Sequence, residues 1–358
     1  TTPAQTGPAQ TAIASALDAL AARPKLTEIF LVACGGSFAQ MHMPKYALDR
    51  EARTIVGDAY NSAEFIARAP ARLGETSLVV VCSSSGNTPE TVEAARFARA
   101  RGAYVVGLTT KPDGSPLTQV AHTTVPYQHK HVAGDPDAPA ASILRLVFGV
   151  LAQREGHKGA AVLDQSLAAL PAVVERVQEA HAADVLRWAA ASKREPVIYT
   201  MASGANYGVA YAFSICILQE MQWIHSQAIH SGEYFHGPFE ITDDIVPFII
   251  LMGTGACRKL DERALAFARK FTDRILPALD RFKPDVIFIS AGFDSRIDDP
   301  LGQFRLTDDD FVTLTRHLLE AAKTHCDARL ISVLEGGYNI NGLASAVTAH
   351  VGELISSK

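Results

Sequence analysis

The sequence predicts an α/β protein: two doubly wound parallel-sheet units followed by a βαβα segment. Three observations carry this expectation. First, the β-rich runs "EIFLVAC" (28–34), "SLVVVCS" (77–83) and "AYVVGLT" (103–109) each lead through a loop into a segment of helical period. That alternation builds a parallel layer with helices on its faces. Second, the pattern returns: "PVIYTMASGANYG" (196–208) echoes "EIFLVACGGSFAQ", and "PFIILMGTGACR" (247–258) echoes "LVVVCSSSGNTP". Gly36 and Gly204 are 168 residues apart and Gly86 and Gly255 are 169 apart, so two independent pairs share nearly one offset, the mark of a duplicated unit. Third, "DVIFIS" and "RLISVL" near the C-terminus flank one more helical run, and strands so placed can extend the second sheet.

Composition sets bounds. A chain of 358 residues, 48% hydrophobic and 20% charged, can bury one large core or two ordinary ones. The expected division is 1–150 for the first unit, 151–271 for the second and 272–358 for the tail, with "GDPDAPA" (134–140) opening the helical stretch between the copies. A net charge of −5 and a pI near 6.2 provide no general drive toward nucleic acid or an anionic membrane. Cys34, Cys82, Cys216, Cys257 and Cys326 are scattered without a C-x-x-C pair, which argues against a disulfide framework or zinc knuckle and for a reducing, cytoplasmic setting. The opening "TTPAQTGPAQ" has no signal pattern and no apolar run approaches spanning length, so a soluble protein is expected.

Two loops have the chemistry of an anion site. In "CGGSF", Gly35 and Gly36 permit close backbone approach and Ser37 offers a hydroxyl at a helix start. In "SSSGNTPET", Ser83, Ser84, Ser85 and Thr88 gather around Gly86, with Pro89 and Glu90 suited to the first turn of the next helix. An ordinary Ser-rich strand-to-helix turn would read the same way, and the chain contains no G-x-x-x-x-G-K-[ST] nucleotide loop.

The third element is "LQEMQWIHSQAIHSGEYFHGPFEI" (218–241). Glu220 lies in an apolar helical run, where burial is expected to raise a carboxyl pKa toward that of a proton shuttle. His236, sixteen residues on, sits in "FHGPF", a turn that can aim an imidazole. Such a pair can open a sugar ring and move a proton between C1 and C2. Taken singly, each residue also fits a bland role, a solvated helix face or a turn histidine.

Together, "CGGS", the S-x-S-G-N-T of Ser83 to Thr88, "AEF" (63–65) and "LQE…GEYFHGP" make residues 27 to about 271 resemble the sugar isomerase (SIS) family. The likeness is to its fructosamine-6-phosphate deglycases and to the isomerase domain of glucosamine-6-phosphate synthase. It implies SIS-type doubly wound units, with Ser37, Ser83, Ser85 and Thr88 as a sugar-phosphate cradle, Glu220 as enolising base and His236 as ring-opening group. It implies a homodimer through the SIS units, a phosphorylated sugar or sugar-amine as ligand, and no cofactor. Gly36 stands where the synthase has a hydroxyl residue and Asn87 where it has Glu, departures that favour the deglycase branch.

After "RKLDERALAFARKF" (258–271) the SIS likeness stops, so by that resemblance the second doubly wound unit is truncated. "KPDVIFISAGFDSRIDDPLGQF" and "ARLISVLEGGYNINGLASAV" make residues 273 to 355 resemble the C-terminal portion of the arginase-fold deacetylases, class II histone deacetylases and acetylpolyamine amidohydrolases. By that resemblance Asp294 is a zinc-ligand position and Tyr338 the residue that polarises an acetyl carbonyl. Both are orphans. A catalytic zinc needs three protein ligands and an open position, the chain has no His-His pair, and "HKHVAGD" (129–135) lacks the expected context. No metal site is expected.

The chain thus reads as a chimera with its junction near 271. Three functions follow from it: a phosphosugar deglycase or isomerase, a phosphosugar-binding protein whose chemistry is impaired because the closing C-terminal segment is replaced, or a zinc deacetylase. The first two fit the residues present, and the third lacks its ligands.

Overall fold

A computed structural model describes residues 7–128, 134–242, 246–270, 281–301 and 306–356. It forms two compact units, one comprising Thr1–Tyr234 with Val246–Glu262, the other Phe235–Ile245 with Arg263–Lys358.

In the first unit, β1 (Glu28–Ala33), β2 (Val56–Asn61), β3 (Ser77–Cys82), β4 (Tyr104–Thr109) and β5 (Thr123–Pro126) form a sheet in the order β2-β1-β3-β4-β5. Every pairing is parallel. All residues of β1, β3 and β4 are buried, because a parallel sheet is covered on both faces. Alternation sorts the side chains. Ile29, Leu31, Leu78 and Val80 pack with Ile13 and Leu20 of α1 (Pro8–Ala21) and with residues of α6 (Pro139–Glu155). Phe30, Val32, Val79 and Val81 pack on the other face with Phe65 of α3 (Ser62–Arg68) and Val92 of α4 (Pro89–Ala100).

The same unit holds a second sheet of β6 (Tyr199–Ala202), β7 (Ala228–His230) and β8 (Phe248–Leu251), parallel and in the order β7-β6-β8. This is β2-β1-β3 over again, the duplication that the residue offsets predict. Counterparts of β4 and β5 do not occur among the described residues, so β8 is an edge strand. The 34-residue helix α7 (Gly159–Ser192) joins the two sheets along the chain. One buried carboxylate ties the ends of the second sheet's strands. Asp261 accepts from Ser203 Oγ at 2.7 Å, from Ser231 Oγ at 2.6 Å and from the Gly253 N–H at 3.0 Å, which satisfies a charge that would otherwise be costly to bury.

In the second compact unit, β9 (Ile287–Ala291) and β10 (Leu330–Leu334) pair in parallel, with helix Asp308–Cys326 between them and helix Ile340–Ser356 after them. This corrects the expectation that the tail's strands extend the second sheet: β9 and β10 make a separate two-stranded sheet. The βαβ segment supplies its own partner strand and its own small cores, Ile287 with Ala321, Ala322 and Cys326, and Phe293 with Phe311 and Ala346. A Thr307–Asp310 capping box starts the connecting helix. His350 bridges Thr315 Oγ1 (2.6 Å) and Ser332 Oγ (2.8 Å). The expected junction near 271 lies outside the described residues.

Candidate functional site

The strand order 2-1-3-4-5 reverses direction between β1 and β3, and doubly wound sheets bind ligands in the crevice beyond the strand ends at such a switch point. The two loops that leave those ends are Cys34–Ser37 and Ser83–Thr88, the anion-site candidates of the sequence.

In the first loop, helix α2 (Gly35–Glu51) begins directly after β1, with Gly35 at φ +55°. The Ser37 hydroxyl lies beside the Cys82 thiol at the end of β3; burial pushes that thiol up to about 11, opposed by the hydroxyls of Ser37 and Tyr127. In the second loop, Ser83 is buried, its Oγ lies 2.8 Å from Thr88 Oγ1, and it accepts the Thr88 N–H at 3.5 Å. Ser85 Oγ accepts the Asn87 N–H at 3.2 Å. The Ser84 carbonyl receives the hydroxyls of Thr109 (3.1 Å) and Thr110 (2.8 Å). Gly86 has φ +68°, and a Cβ there would stand 2.4 Å from Ser115 Oγ, so the turn admits only glycine. The hydroxyls of Ser83 and Thr88 thus meet within the second loop, and Ser37 lies at the end of the neighbouring strand.

The third element arrives by a route that the sequence reading missed. After α8 (Tyr207–Ala212) the chain continues as a π-helix, Phe213–Met221, a form that recurs at functional sites. It sets Cys216 against the first loop: a Cβ on Gly36 would lie 3.3 Å from Cys216 Sγ. Burial, and then the nearby charge of Glu220, push the Cys216 thiol up. Burial and the charges of Cys216 and Cys34 act likewise on Tyr211. Glu220 lies close enough to Cys216 for its charge to act on that thiol, and Cys216 is the residue that meets the first loop. The spacing of four residues, one face of a helix, was a signal that could have found Cys216.

One expectation is corrected. Glu220 is exposed rather than buried in its apolar run, on the π-helix Phe213–Met221. His236 is also exposed, at the end of a 3-10 turn, Tyr234–His236, and falls in the second compact unit whereas Glu220 falls in the first.

In the tail, the ends of β9 and β10 set Asp294 beside Gly336. Phe293 N–H donates to the Gly336 carbonyl at 2.8 Å, and a Cβ on Gly336 would stand 2.9 Å from the Asp294 carboxyl. Tyr338, two residues on, is 57% exposed, and its N–H is held by Asp299 at 2.7 Å. Among the described residues no three His, Cys, Asp or Glu side chains converge in a metal-holding group. Residues 129–133 of "HKHVAGD" lie outside the described residues.

Fold and site define a class: a duplicated, doubly wound α/β protein with glycine- and hydroxyl-bearing loops at its first switch point. The SIS domain model matches residues 25–134, and the chain belongs to the SIS family. Fructosamine deglycase FrlB of Bacillus subtilis is 50% identical over 250 residues, 70% of this chain and 76% of that protein. A fructoselysine 6-phosphate deglycase of Escherichia coli is 28% identical over 251 residues, 70% and 72% of the two chains. A Bacillus subtilis crystal structure, provisionally assigned as a phosphosugar isomerase, matches with a TM-score of 0.70 and 36% identity, covering 97% of this chain and 92% of that one. The histone deacetylase domain model matches residues 260–354. Type-2 histone deacetylase 2 of Dictyostelium discoideum is 38% identical over 100 residues, 27% of this chain and 6% of that protein. Two families meet in one chain, as the sequence analysis expects. No helix among the described residues is long and apolar enough to cross a membrane.

Proposed function

We propose that this chain binds a phosphorylated fructosamine and carries the chemistry of a sugar-phosphate deglycase. The observation behind the proposal is the convergence at the β1/β3 switch point of two hydroxyl-bearing loops with the helix that carries Cys216 and Glu220. Ser37, Ser83, Ser85 and Thr88 hold the phosphate, with Gly35, Gly36 and Ser84 supplying backbone. Glu220 takes a proton from C1 of the open-chain substrate and returns it to C2. The C2 carbonyl oxygen gains the proton that the amine nitrogen gives up and becomes a hydroxyl, the C1–N bond becomes an imine, and water hydrolyses that imine to glucose 6-phosphate and free amine. His236 opens the sugar ring, a role that rests on the family resemblance.

The exposed Glu220 bears on rate. General bases work best when matched and sheltered from water, and in this chain the segment that closes the site in the resembled enzymes is replaced by a deacetylase-like tail. Binding with reduced turnover is the expected behaviour. A homodimer through the SIS units and a cytoplasmic setting belong to the same proposal.

The test is a product assay with fructoselysine 6-phosphate alongside calorimetric binding of glucose 6-phosphate. Glu220→Gln lowers kcat steeply with affinity kept, and Ser85→Ala with Thr88→Ala costs about 1–3 kcal/mol of affinity. Unchanged affinity in that double variant removes the cradle, and equal loss of rate and affinity in Glu220→Gln makes the carboxylate structural.

A further inference from the structure

The second half of the chain has a cavity where the first half has its candidate site. β6 and β8 are the counterparts of β1 and β3, and the loops at their C-terminal ends, Ser203–Asn206 and Gly253–Cys257, wall one side of a pocket of about 320 Å³. Tyr46, Arg50 and Glu51 of α2 and Phe148 of α6 wall the other, and Arg258 lies at its edge. The volume is within the range of small-ligand sites. Gly36 and Tyr46 are ten residues apart on α2, about 15 Å along the helix axis, so this pocket is distinct from the first switch point.

Its lining suits an anion. Arg50 faces the glycine loop: a Cβ on Gly255 would stand 4.0 Å from Arg50 Nη1 and 3.9 Å from Tyr46 Oη. Arg50 donates to Tyr46 Oη at 3.3 Å and lies 3.9 Å from Glu51 Oε1. Arg258 is held by Glu262 at 2.7 Å and by the Gly253 carbonyl at 3.1 Å. The two guanidinium groups stand beside three carboxylates, Glu51, Glu262 and the buried Asp261, so an anion is held here by the N–H donors that the guanidinium groups and the loop present and not by net charge. The N–H groups of Thr254, Gly255 and Ala256 donate to no backbone carbonyl among the described residues. Asp261 fastens the loops from beneath through Ser203 and Gly253, so they keep their shape without a ligand. The first switch point offers hydroxyls, while the second offers guanidinium forks, the side chains that best match phosphate oxygens.

We propose that the β6/β8 pocket is a second binding site, for the phosphate group of a small metabolite, formed by Arg50, Arg258 and the Gly253–Cys257 loop. It does not depend on binding at the first switch point. The probe is inorganic phosphate, followed by equilibrium dialysis on the full chain carrying Ser85→Ala and Thr88→Ala. Phosphate binding is expected to persist in that background, to weaken at least tenfold on adding Arg50→Ala with Arg258→Ala, and to weaken similarly on adding Gly255→Asp. A Cβ on Gly255 meets Tyr46 Oη and Arg50 Nη1 only at ordinary contact distance and the residue is outside the left-handed region, so Gly255→Asp sets a carboxylate before Arg50 without backbone strain, and Gly255→Ala serves as the control that keeps binding. Absence of phosphate binding in the Ser85→Ala, Thr88→Ala background, or binding there that neither Arg50→Ala with Arg258→Ala nor Gly255→Asp alters, overturns the proposal. If Ser85→Ala with Thr88→Ala leaves total binding in the otherwise intact chain unchanged while the arginine changes reduce it, the cradle reading fails and this one stands.

Discussion

Strands β3 and β8 occupy the same place in two copies of one unit, yet β3 is buried at every residue and β8 is only half-buried. Their sequences, "SLVVVC" and "FIIL", are equally apolar. The difference lies beyond them: β4 pairs with the far edge of β3, while no described strand pairs with the far edge of β8. The tail carries two strands of the right character, but they pair with each other. Burial is a property of neighbours rather than of a strand's own residues, and a chain joined from two families keeps its strands without regaining the neighbours of one of them.

The largest effect tests that contrast directly. Leu78→Ala in β3 is expected to cost about 2–5 kcal/mol by denaturant unfolding, and Ile250→Ala in β8 about half as much, because a half-buried site leaves a smaller cavity. Equal costs would mean that the edge of β8 is covered in solution. Next, Asp261→Ala removes the acceptor of two hydroxyls and an N–H at the ends of β6, β7 and β8, with an expected loss of about 3 kcal/mol. Asp261→Asn recovers part of this, since an amide keeps one acceptor oxygen. A neutral outcome for Asp261→Ala would show that the second sheet does not rely on its buried tie.

A smaller effect depends on pH. His42 of α2 packs against Phe38, Tyr207 and Tyr211, its Nε2 is buried without a hydrogen-bond partner, and burial lowers its pKa. A depressed folded pKa stabilises the protein fully above the unfolded value of about 6.5, and this contribution is lost as pH falls through the folded value. Stability should therefore drop on acidification below about pH 6.5, and His42→Phe should flatten that drop. An unchanged slope would place the acid sensitivity elsewhere, with His122 and His350 the other histidines among the described residues whose pKa burial lowers. The smallest effect belongs to the tail: Phe288 in β9 is 65% exposed, so Phe288→Ser should change stability by no more than about 0.5 kcal/mol. A cost near that of Leu78→Ala would show that this face of the tail is covered.

By itself the sequence determined the parallel α/β class, the duplication, the two hydroxyl-bearing strand-to-helix loops and the meeting of two families, because each is written in local periods, fixed offsets and short motifs. Only the tertiary structure decided that Glu220 is exposed on a π-helical turn, that Cys216 fills the space beside Gly36, that Asp261 is a buried tie and that β9 and β10 stand apart from the second sheet. Those facts depend on residues distant along the chain. Gly36 and Cys216 are 180 positions apart, and which side chain fills the space above a glycine, or which edge a strand finds, is settled by packing among distant segments that no local pattern encodes.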